Sequence, residues 1–524
     1  MDGQLGQTLL LLLLLCRSGH SDWQSVCPYK CQCFTSLQVL CADERMSSFP
    51  RIISRQVREV VIMTSSLAYL FPTSLMESPQ LTKLVFLNNA LRSIHSDTFE
   101  HLTELRELEL SGNPPLDHLY LGTFSKQENL TKLLLNYNSL KTVLPGMFDS
   151  LKQLEVLQMK GNLLSGLPPL LFQNLGSLHF LDLSQNRLQN LTEGTFSGLA
   201  GLKILRLNNN LISNLTCETL RSVPQLTELH LEWNRISHLD DNVFSALTNL
   251  SVLNLRGNLL NSFNDAAFGS ELTTLRELNL KGNRLTELSS LSRLSSLTDL
   301  MLAANRLSSL KENSFRNLTA LETLDLSDNQ LASLPEGIFN ALWSISVINL
   351  HNNHLEKVDA KLIEDQIMIE RLYLSDNRLE TLPLGLLDNS FLQLTVRLHG
   401  NPWRCDCQLR YLYDWLLTNS SDREILDRMS CQSPGFLRGR TVASVGRDQL
   451  VCHPAGNQAP DLKSCWLQEA NDTMIIRCRV EKCSAATVRL QLEEESGEIR
   501  EHIFNNTMEK SQCSNETLKA RRID

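Results

Sequence analysis

The sequence lacks an excess of basic residues, because 49 Lys and Arg stand against 58 Asp and Glu, for a net charge of −9. Nucleic-acid-binding proteins depend on cationic patches, so this balance argues against nucleic acid as the main ligand. Also missing are an HExxH pair, a GxSxG turn, a glycine-rich phosphate loop and a Cys/His pair with catalytic spacing. We therefore expect no catalysis by this chain, and no cofactor or metal site.

Long hydrophobic runs are also missing after the repeats. The seven leucines Leu9–Leu15 are too short to span a bilayer and stand where the apolar part of a signal peptide belongs. We expect residues 1–21 to be a signal peptide and the chain to be secreted, with a signal anchor as the alternative. Neither a later stretch of 18 apolar residues nor an apolar tail is found, so no membrane span or lipid anchor is expected.

What the sequence does contain is the pattern LxxLxLxxNxL, seen clearly in Leu178–Leu188. A leader, Val57–Leu67, has Ser65 where the asparagine should be, and the asparagines that follow are spaced by 22 to 25 residues. This is the pattern of a leucine-rich repeat, and we assign residues 57–401 to an α/β solenoid of horseshoe form with a parallel β-sheet on its concave face. The 14 repeat asparagines are Asn89, Asn113, Asn138, Asn162, Asn186, Asn210, Asn234, Asn258, Asn283, Asn305, Asn329, Asn353, Asn377 and Asn401.

Two side-chain types explain how such turns stack. The carboxamide of Asn both donates and accepts, so it can satisfy backbone groups that a sharp bend would bury. A second apolar position should fill the wider convex side. It is occupied by Phe99, Phe124, Phe148, Phe172, Phe196, Phe244, Phe268, Phe315 and Phe339.

The cysteines form three clusters of four, a number typical of disulfides in an oxidising compartment. Two clusters flank the repeats and predict disulfide-bonded caps at 22–56 and 402–453, with zinc as the competing interpretation. The third predicts a small disulfide-held β module at 454–524. Cys16 lies in the expected signal peptide, and Cys217 alone is left over. For Cys217 an inert thiol is favoured over an intermolecular bridge or a reactive site. The clusters are Cys27, Cys31, Cys33 and Cys41; Cys405, Cys407, Cys431 and Cys452; and Cys465, Cys478, Cys483 and Cys513.

Nine N-x-Ser/Thr sequons add support for secretion and are candidate glycosylation sites. None coincides with a repeat asparagine. They are Asn129, Asn190, Asn214, Asn249, Asn317, Asn419, Asn471, Asn505 and Asn515.

Candidate partner-binding residues are sought among strand residues that point away from the leucine core. The middle of the arc is aromatic and basic, which is the composition of binding hot spots, and Trp233 is the strongest candidate. The alternative is an ordinary strand surface. His351 and His354 resemble a metal pair but lack a carboxylate, so surface residues are favoured. The predicted binding residues are Tyr137, Lys160, Phe180, Arg206, His230, Trp233 and Arg256, followed by an acidic part with Asp299, Asp325, Asp328 and Asp376.

Five segments together resemble one family within the extracellular repeat proteins. They are the cap segments Cys27–Cys33, Leu398–Cys407, Tyr411–Leu416 and Asp448–Cys452, with the repeat segment Leu81–Asn88. With the four-cysteine tail, they are similar to the non-catalytic, regulatory subunits of carboxypeptidase N.

The resemblance implies a plasma glycoprotein that binds and stabilises a zinc carboxypeptidase subunit, in a tetramer of two catalytic and two regulatory chains. That partner would remove C-terminal Arg or Lys from circulating peptides, and the zinc would be bound by the partner. The alternative hypothesis is a soluble ligand-capture or immune recognition protein of the same fold.

Overall fold

The computed structural model describes residues 27–51, 53–269, 274–388, 394–419 and 428–452, and four later strands whose side chains are not described. Two compact units divide between Leu450 and Val451. Several predictions lie outside the described residues: the signal peptide 1–21, the sequons Asn471 and Asn515, and Cys483 and Cys513.

A single sheet of 17 strands runs through the first unit. Its first two strands pair antiparallel, and every later strand pairs in parallel with the next turn. The strands are β1 Cys31–Thr35, β2 Gln38–Ala42, β3 Glu59–Met63, β5 Lys83–Leu87, β7 Glu107–Ser111, β8 Lys132–Leu134, β9 Val156–Gln158, β10 Phe180–Asp182, β11 Ile204–Arg206, β12 Glu228–His230, β13 Val252–Asn254, β14 Glu277–Asn279, β15 Asp299–Met301, β16 Thr323–Asp325, β17 Val347–Asn349, β18 Arg371–Tyr373 and β19 Thr395–Arg397.

Each repeat strand surrounds the middle apolar position of its pattern, which is leucine in most turns and is Ile348 in β17 and Val396 in β19. In β10, Leu181 is fully buried while Phe180 and Asp182 point to the opposite face, because side chains alternate along a strand. Leu181 pairs in register with Leu205 of β11. The solenoid with one parallel sheet is confirmed.

The repeat asparagines form a buried ladder. Asn210 Nδ2 donates to the carbonyl oxygens of Leu183 at 3.0 Å and Leu207 at 2.9 Å, and its Oδ1 accepts from Leu188 N at 3.0 Å. The predicted double role of the amide is therefore confirmed. The residue before each ladder position has a positive φ, including Asn209 at 56°.

The convex side contains the predicted phenylalanine column, and all nine side chains are buried. Phe124 lies between Phe99 and Phe148, with ring centroids 6.4 and 6.2 Å apart. This column fills the space left where the chain leaves the sheet, and it joins the leucines in one hydrophobic core.

Both ends of the core carry disulfides. Cys27 pairs with Cys33 and Cys31 with Cys41 at the first cap. At the second cap Cys405 pairs with Cys431, and Cys407 and Cys452 are also disulfide-bonded. The indole of Trp403 is fully buried there and donates to Leu398 O at 3.1 Å.

Helices are short. Cys217, a free and partly buried cysteine, begins the second of them and lies 3.7 Å from Ser245 Oγ. No helix in the described ranges is long and apolar enough to cross a membrane. The helices are α1 Pro72–Leu75, α2 Cys217–Leu220 and α3 Arg410–Asn419, with 3₁₀ turns at Asp265–Phe268, Cys407–Leu409, Gly435–Leu437, Val442–Ser444 and Arg447–Gln449.

The remaining strands pair two by two. In the first unit, β4 Tyr69–Leu70 pairs with β6 Ser93–Ile94, and β20 Trp403–Arg404 with β21 Cys431–Ser433. The second unit has two antiparallel pairs, β22 Cys465–Ala470 with β23 Thr473–Cys478 and β24 Ala486–Glu493 with β25 Ile499–Asn506. The boundaries proposed for the caps and the β module remain predictions.

Candidate partner-binding surface

The seven predicted binding residues are divided between strands and bends. Phe180, Arg206 and His230 lie on β10, β11 and β12. The expectation that all seven lie on strands is wrong for the other four, Tyr137, Lys160, Trp233 and Arg256, because the repeat strands here are only three residues long. These four lie in the bends that follow the strands, beside the asparagine ladder.

Trp233 stands immediately before the ladder residue Asn234 and has φ of 58°. This left-handed conformation is uncommon for a bulky residue. Its indole lies across Gly257 of the next turn, the Arg256 guanidinium carbon is 5.5 Å from the ring centroid, and 52% of the residue is exposed. The ring is thus supported on one side and open to solvent elsewhere.

Tyr137 repeats this arrangement four turns earlier. Its φ is 53°, its ring lies across Gly161, and Lys160 Nζ is 5.7 Å from the ring centroid. Tyr137 is 49% exposed. The same three-part unit of aromatic, cation and glycine therefore occurs twice.

Between these two units, Arg206 covers Phe180 on the sheet, with 5.2 Å from the guanidinium carbon to the ring centroid. We call the pairs Tyr137–Lys160, Phe180–Arg206 and Trp233–Arg256 the alternating row. Over six consecutive turns, a turn that supplies an aromatic residue is followed by a turn that supplies its cation. The sequence pointed to each residue but not to this two-turn period.

The cations of the alternating row keep their charge available. In the described part of the chain, none of the three lies within 4.0 Å of a carboxylate oxygen, whereas Lys83 is paired with Glu107 at 2.8 Å. A cation over an aromatic face is attracted to it without being neutralised. The row therefore presents positive charge beside the exposed rings of Tyr137 and Trp233.

His230 lies beside the row and is flanked by two carboxylates. Its Nε2 is 3.3 Å from Glu228 Oε2 and its Nδ1 is 3.9 Å from Glu232 Oε2. Glu232 Oε2 is buried and has no hydrogen-bond partner within the described residues. His230 thus lies on β12 between two carboxylates, and its contact with a partner remains a prediction.

The N-terminal part of the concave face has two glutamates on β7. Burial raises the pKa of Glu109, and this effect outweighs its hydrogen bond to Ser111. Burial also acts on Glu107, but the hydrogen bond and charge of Lys83 hold the pKa of Glu107 below its usual range. The pKa of Glu109 is thus raised and that of Glu107 is lowered, although both residues lie on the same strand.

Toward the second cap, further residues join the surface. Arg397, which sequence reasoning missed, lies over Tyr373 with 4.6 Å from its guanidinium carbon to the ring centroid. His351 Nδ1 is 2.8 Å from Ser375 Oγ and 3.3 Å from Asp376 Oδ2, while His399 Nε2 is 3.5 Å from the same carboxylate oxygen. His351 and His399 each stand two residues before a ladder asparagine, and this shared position is the sequence signal that could have shown that they lie close together. No group of three metal-ligating side chains fit for an ion occurs among the described residues.

Sequons in the described repeats avoid the sheet. Asn129, Asn190, Asn214, Asn249 and Asn317 are all exposed and none lies on a strand. Glycans at these positions would leave the strand surface open.

A family model described as "Leucine rich repeat" matches the chain in nine segments between residues 55 and 379, most of which overlap. These matches cover more than half of the 524 residues. The chain belongs to the leucine-rich repeat family. Its repeats are similar in fold to a leucine-rich repeat protein of Leptospira interrogans, with a TM-score of 0.62 and 28% identity over 73% of this chain and 94% of that one. The TLR13–ssRNA13 complex shares the fold alone, at 24% identity and a TM-score of 0.52 over 73% of this chain and 63% of that one.

Curated relatives match over short regions. Human carboxypeptidase N subunit 2 is 44% identical over 57 residues, which is 11% of this chain and 10% of that protein. The mouse protein of the same name is 37% identical over 57 residues, with the same coverage. Platelet glycoprotein Ib beta chain of Rattus norvegicus is 44% identical over 61 residues, or 11% of this chain and 29% of that protein. The chain thus matches less than a third of each relative's length.

Proposed function

We propose that this chain is a secreted, non-catalytic subunit that binds and stabilises a zinc carboxypeptidase. That enzyme would remove C-terminal Arg or Lys from circulating peptides, and the zinc would belong to it alone. The similarity to carboxypeptidase N subunit 2 supports the choice of partner. Disulfides at both ends of the repeats fit an extracellular protein.

One observation carries the proposed binding role: Trp233 is half exposed in a bend and is supported by Arg256 and Gly257. Large exposed apolar groups on a rigid scaffold commonly mark a protein contact. Trp and Arg are also the residues most often found at binding hot spots. Tyr137, Lys160, Phe180 and Arg206 would extend that contact along the concave face.

The proposed mechanism is stabilisation by mass action. A subunit that binds only the folded enzyme lowers the free energy of the folded state, and the effect grows with its concentration. We further propose a heterotetramer of two subunits of each kind in plasma, with glycans on the sequons. Cys465, Cys478, Cys483 and Cys513 would form the disulfides of the β module.

The test is to express the full chain with a tag, incubate it with plasma of the source species, recover it, and assay the eluate for release of C-terminal Arg or Lys. We expect activity that copurifies and is lost when a chelator removes the metal. An eluate without this activity would refute the carboxypeptidase partner. If another extracellular protein copurified instead, a soluble ligand-capture role would replace it.

A further inference from the structure

We propose that the alternating row is the docking site for an acidic α-helix of the partner, whose carboxylates recur at about seven-residue intervals. The inference rests on the proposed function, because it names the element of the partner that this surface would hold. It follows from the spacing, the charge and the limits of the row.

The spacing comes from the stacking of the turns. Neighbouring parallel strands lie about 4.8 Å apart, so cations that recur every second turn are separated by about 10 Å along the sheet. Two turns of an α-helix, or seven residues, rise by about 10.5 Å and return to the same face. An extended segment reaches about 10 Å in three residues, but its side chains then alternate between opposite faces.

The three cations do not form a straight line. Arg206 lies on β11, whereas Lys160 and Arg256 lie two residues beyond the ends of β9 and β13. Lys160 and Arg256 lie over the rings of Tyr137 and Trp233 in the bends, and Arg206 lies over Phe180 on the adjoining strands. On one face of a helix, side chains three and four residues apart lie on either side of a central line. They can therefore reach cations that are displaced from one another along the strand direction, as Arg206 is from Lys160 and Arg256.

Charge defines the chemistry of the helix. Each cation lies over a ring and not against a carboxylate, so its charge has no ion-pair partner within the described residues. Such a group favours a charge-assisted hydrogen bond to an incoming carboxylate. The exposed rings of Tyr137 and Trp233 would then pack against the methylene groups of the helix side chains.

Nearby acidic groups limit the row at its far end. Three carboxylates lie inside the row. Asp182 is buried and its Oδ1 accepts from Ser184 N at 2.9 Å, while Glu228 and Glu232 lie 3.3 and 3.9 Å from the ring nitrogens of His230. Beyond Arg256, the outward positions of β15 and β16 carry Asp299 and Asp325. These would repel a longer acidic helix, so the helix ends before them and its register is fixed.

The test uses the full chain and two synthetic helical peptides of identical composition. One has three glutamates at seven-residue intervals, and its isomer has them at five-residue intervals, which turns them to different faces. Binding is measured by fluorescence anisotropy of labelled peptide. We expect the seven-residue peptide to bind about tenfold more tightly, or better, and Arg206→Ala or Arg256→Ala to remove most of that preference. Arg397→Ala, which alters a similar pair outside the row, should leave it unchanged.

Equal affinities of the two peptides, no binding by either, or an equal loss in Arg397→Ala would overturn the inference. Copurification tests the proposed function separately. A selective peptide signal without a copurifying carboxypeptidase would support the row and reject that partner. A copurifying carboxypeptidase without selectivity between the two peptides would support that partner and reject the alternating row as a docking site for an acidic helix.

Discussion

The indole of Trp233 occupies the space that a side chain on Gly257 would need. A Cβ added to Gly257 would lie 2.6 Å from Trp233 Cε3 and 2.8 Å from Cδ2, well inside van der Waals contact. Glycine at this position therefore determines where the indole can lie. Gly161 has the same relationship to Tyr137, with 2.5 Å to Cδ1.

Replacing Gly257 by alanine should move the indole off the next turn and away from Arg256. We expect Gly257→Ala to weaken partner binding by about tenfold or more, since the hot-spot residue loses its support. The measurement is affinity for the copurified carboxypeptidase by surface plasmon resonance.

Gly122→Ala is the matched control for this change. Gly122 also has a positive φ, of 93°, but a Cβ there would meet nothing within 4 Å. Both variants should lose about 1 kcal/mol of stability from backbone strain alone. Equal binding losses in the two would mean that the glycine acts through stability and not through Trp233.

Truncating the indole itself is the direct test of the contact. Trp233→Ala should weaken partner binding by about 2 kcal/mol or more, a loss typical of a hot spot. Trp343, which is 58% exposed elsewhere on the repeats, provides the control substitution Trp343→Ala. An unchanged affinity in Trp233→Ala, with the fold intact by circular dichroism, would remove Trp233 from the interface.

The ladder asparagines were predictable because a single pattern repeats and each turn has the same chemical need. The sequence placed Asn210 at a bend, and an amide there must both donate and accept. It did not reveal that Tyr137 and Trp233 lie in left-handed bends, because a sequence pattern does not locate the last residue of a three-residue strand. Contacts across turns, such as Arg397 with Tyr373, depend on side-chain direction and so required the structure.

Converting a ladder amide to a carboxylate should destabilise the solenoid. Asn210→Asp would lose the hydrogen bonds donated to Leu183 O and Leu207 O, and it would place a negative charge against these two carbonyl oxygens. We expect a loss of about 2–4 kcal/mol at neutral pH, measured by urea unfolding. The control is Asn209→Asp on the neighbouring exposed residue, which should change stability little. A similar loss in both variants would contradict the role given to the ladder.

The two glutamates of β7 offer a test in which neutralisation has opposite effects. Burial raises the pKa of Glu109 in the folded state, so the ionised form opposes folding. The stability that is present in acid is therefore lost as the pH rises above about 4.5, the pKa of an unperturbed glutamate. Glu109→Gln should therefore raise stability at pH 7 by a few tenths to about 1 kcal/mol, with no gain in acid. Glu107 has a lowered pKa, so its contribution is present at neutral pH and is lost as the pH falls through the folded pKa.

Glu107→Gln should accordingly lower stability at pH 7, but by no more than about 0.5 kcal/mol, because its ion pair with Lys83 is partly exposed and screened by water. Its effect should also vanish in acid. Urea unfolding of both variants from neutral to acidic pH compares two sites only two residues apart on one strand, so differences in the rest of the protein cancel. Changes of the same sign at pH 7 would show that burial of Glu109 does not dominate its environment, and that Lys83 and Lys132 compensate its charge in full.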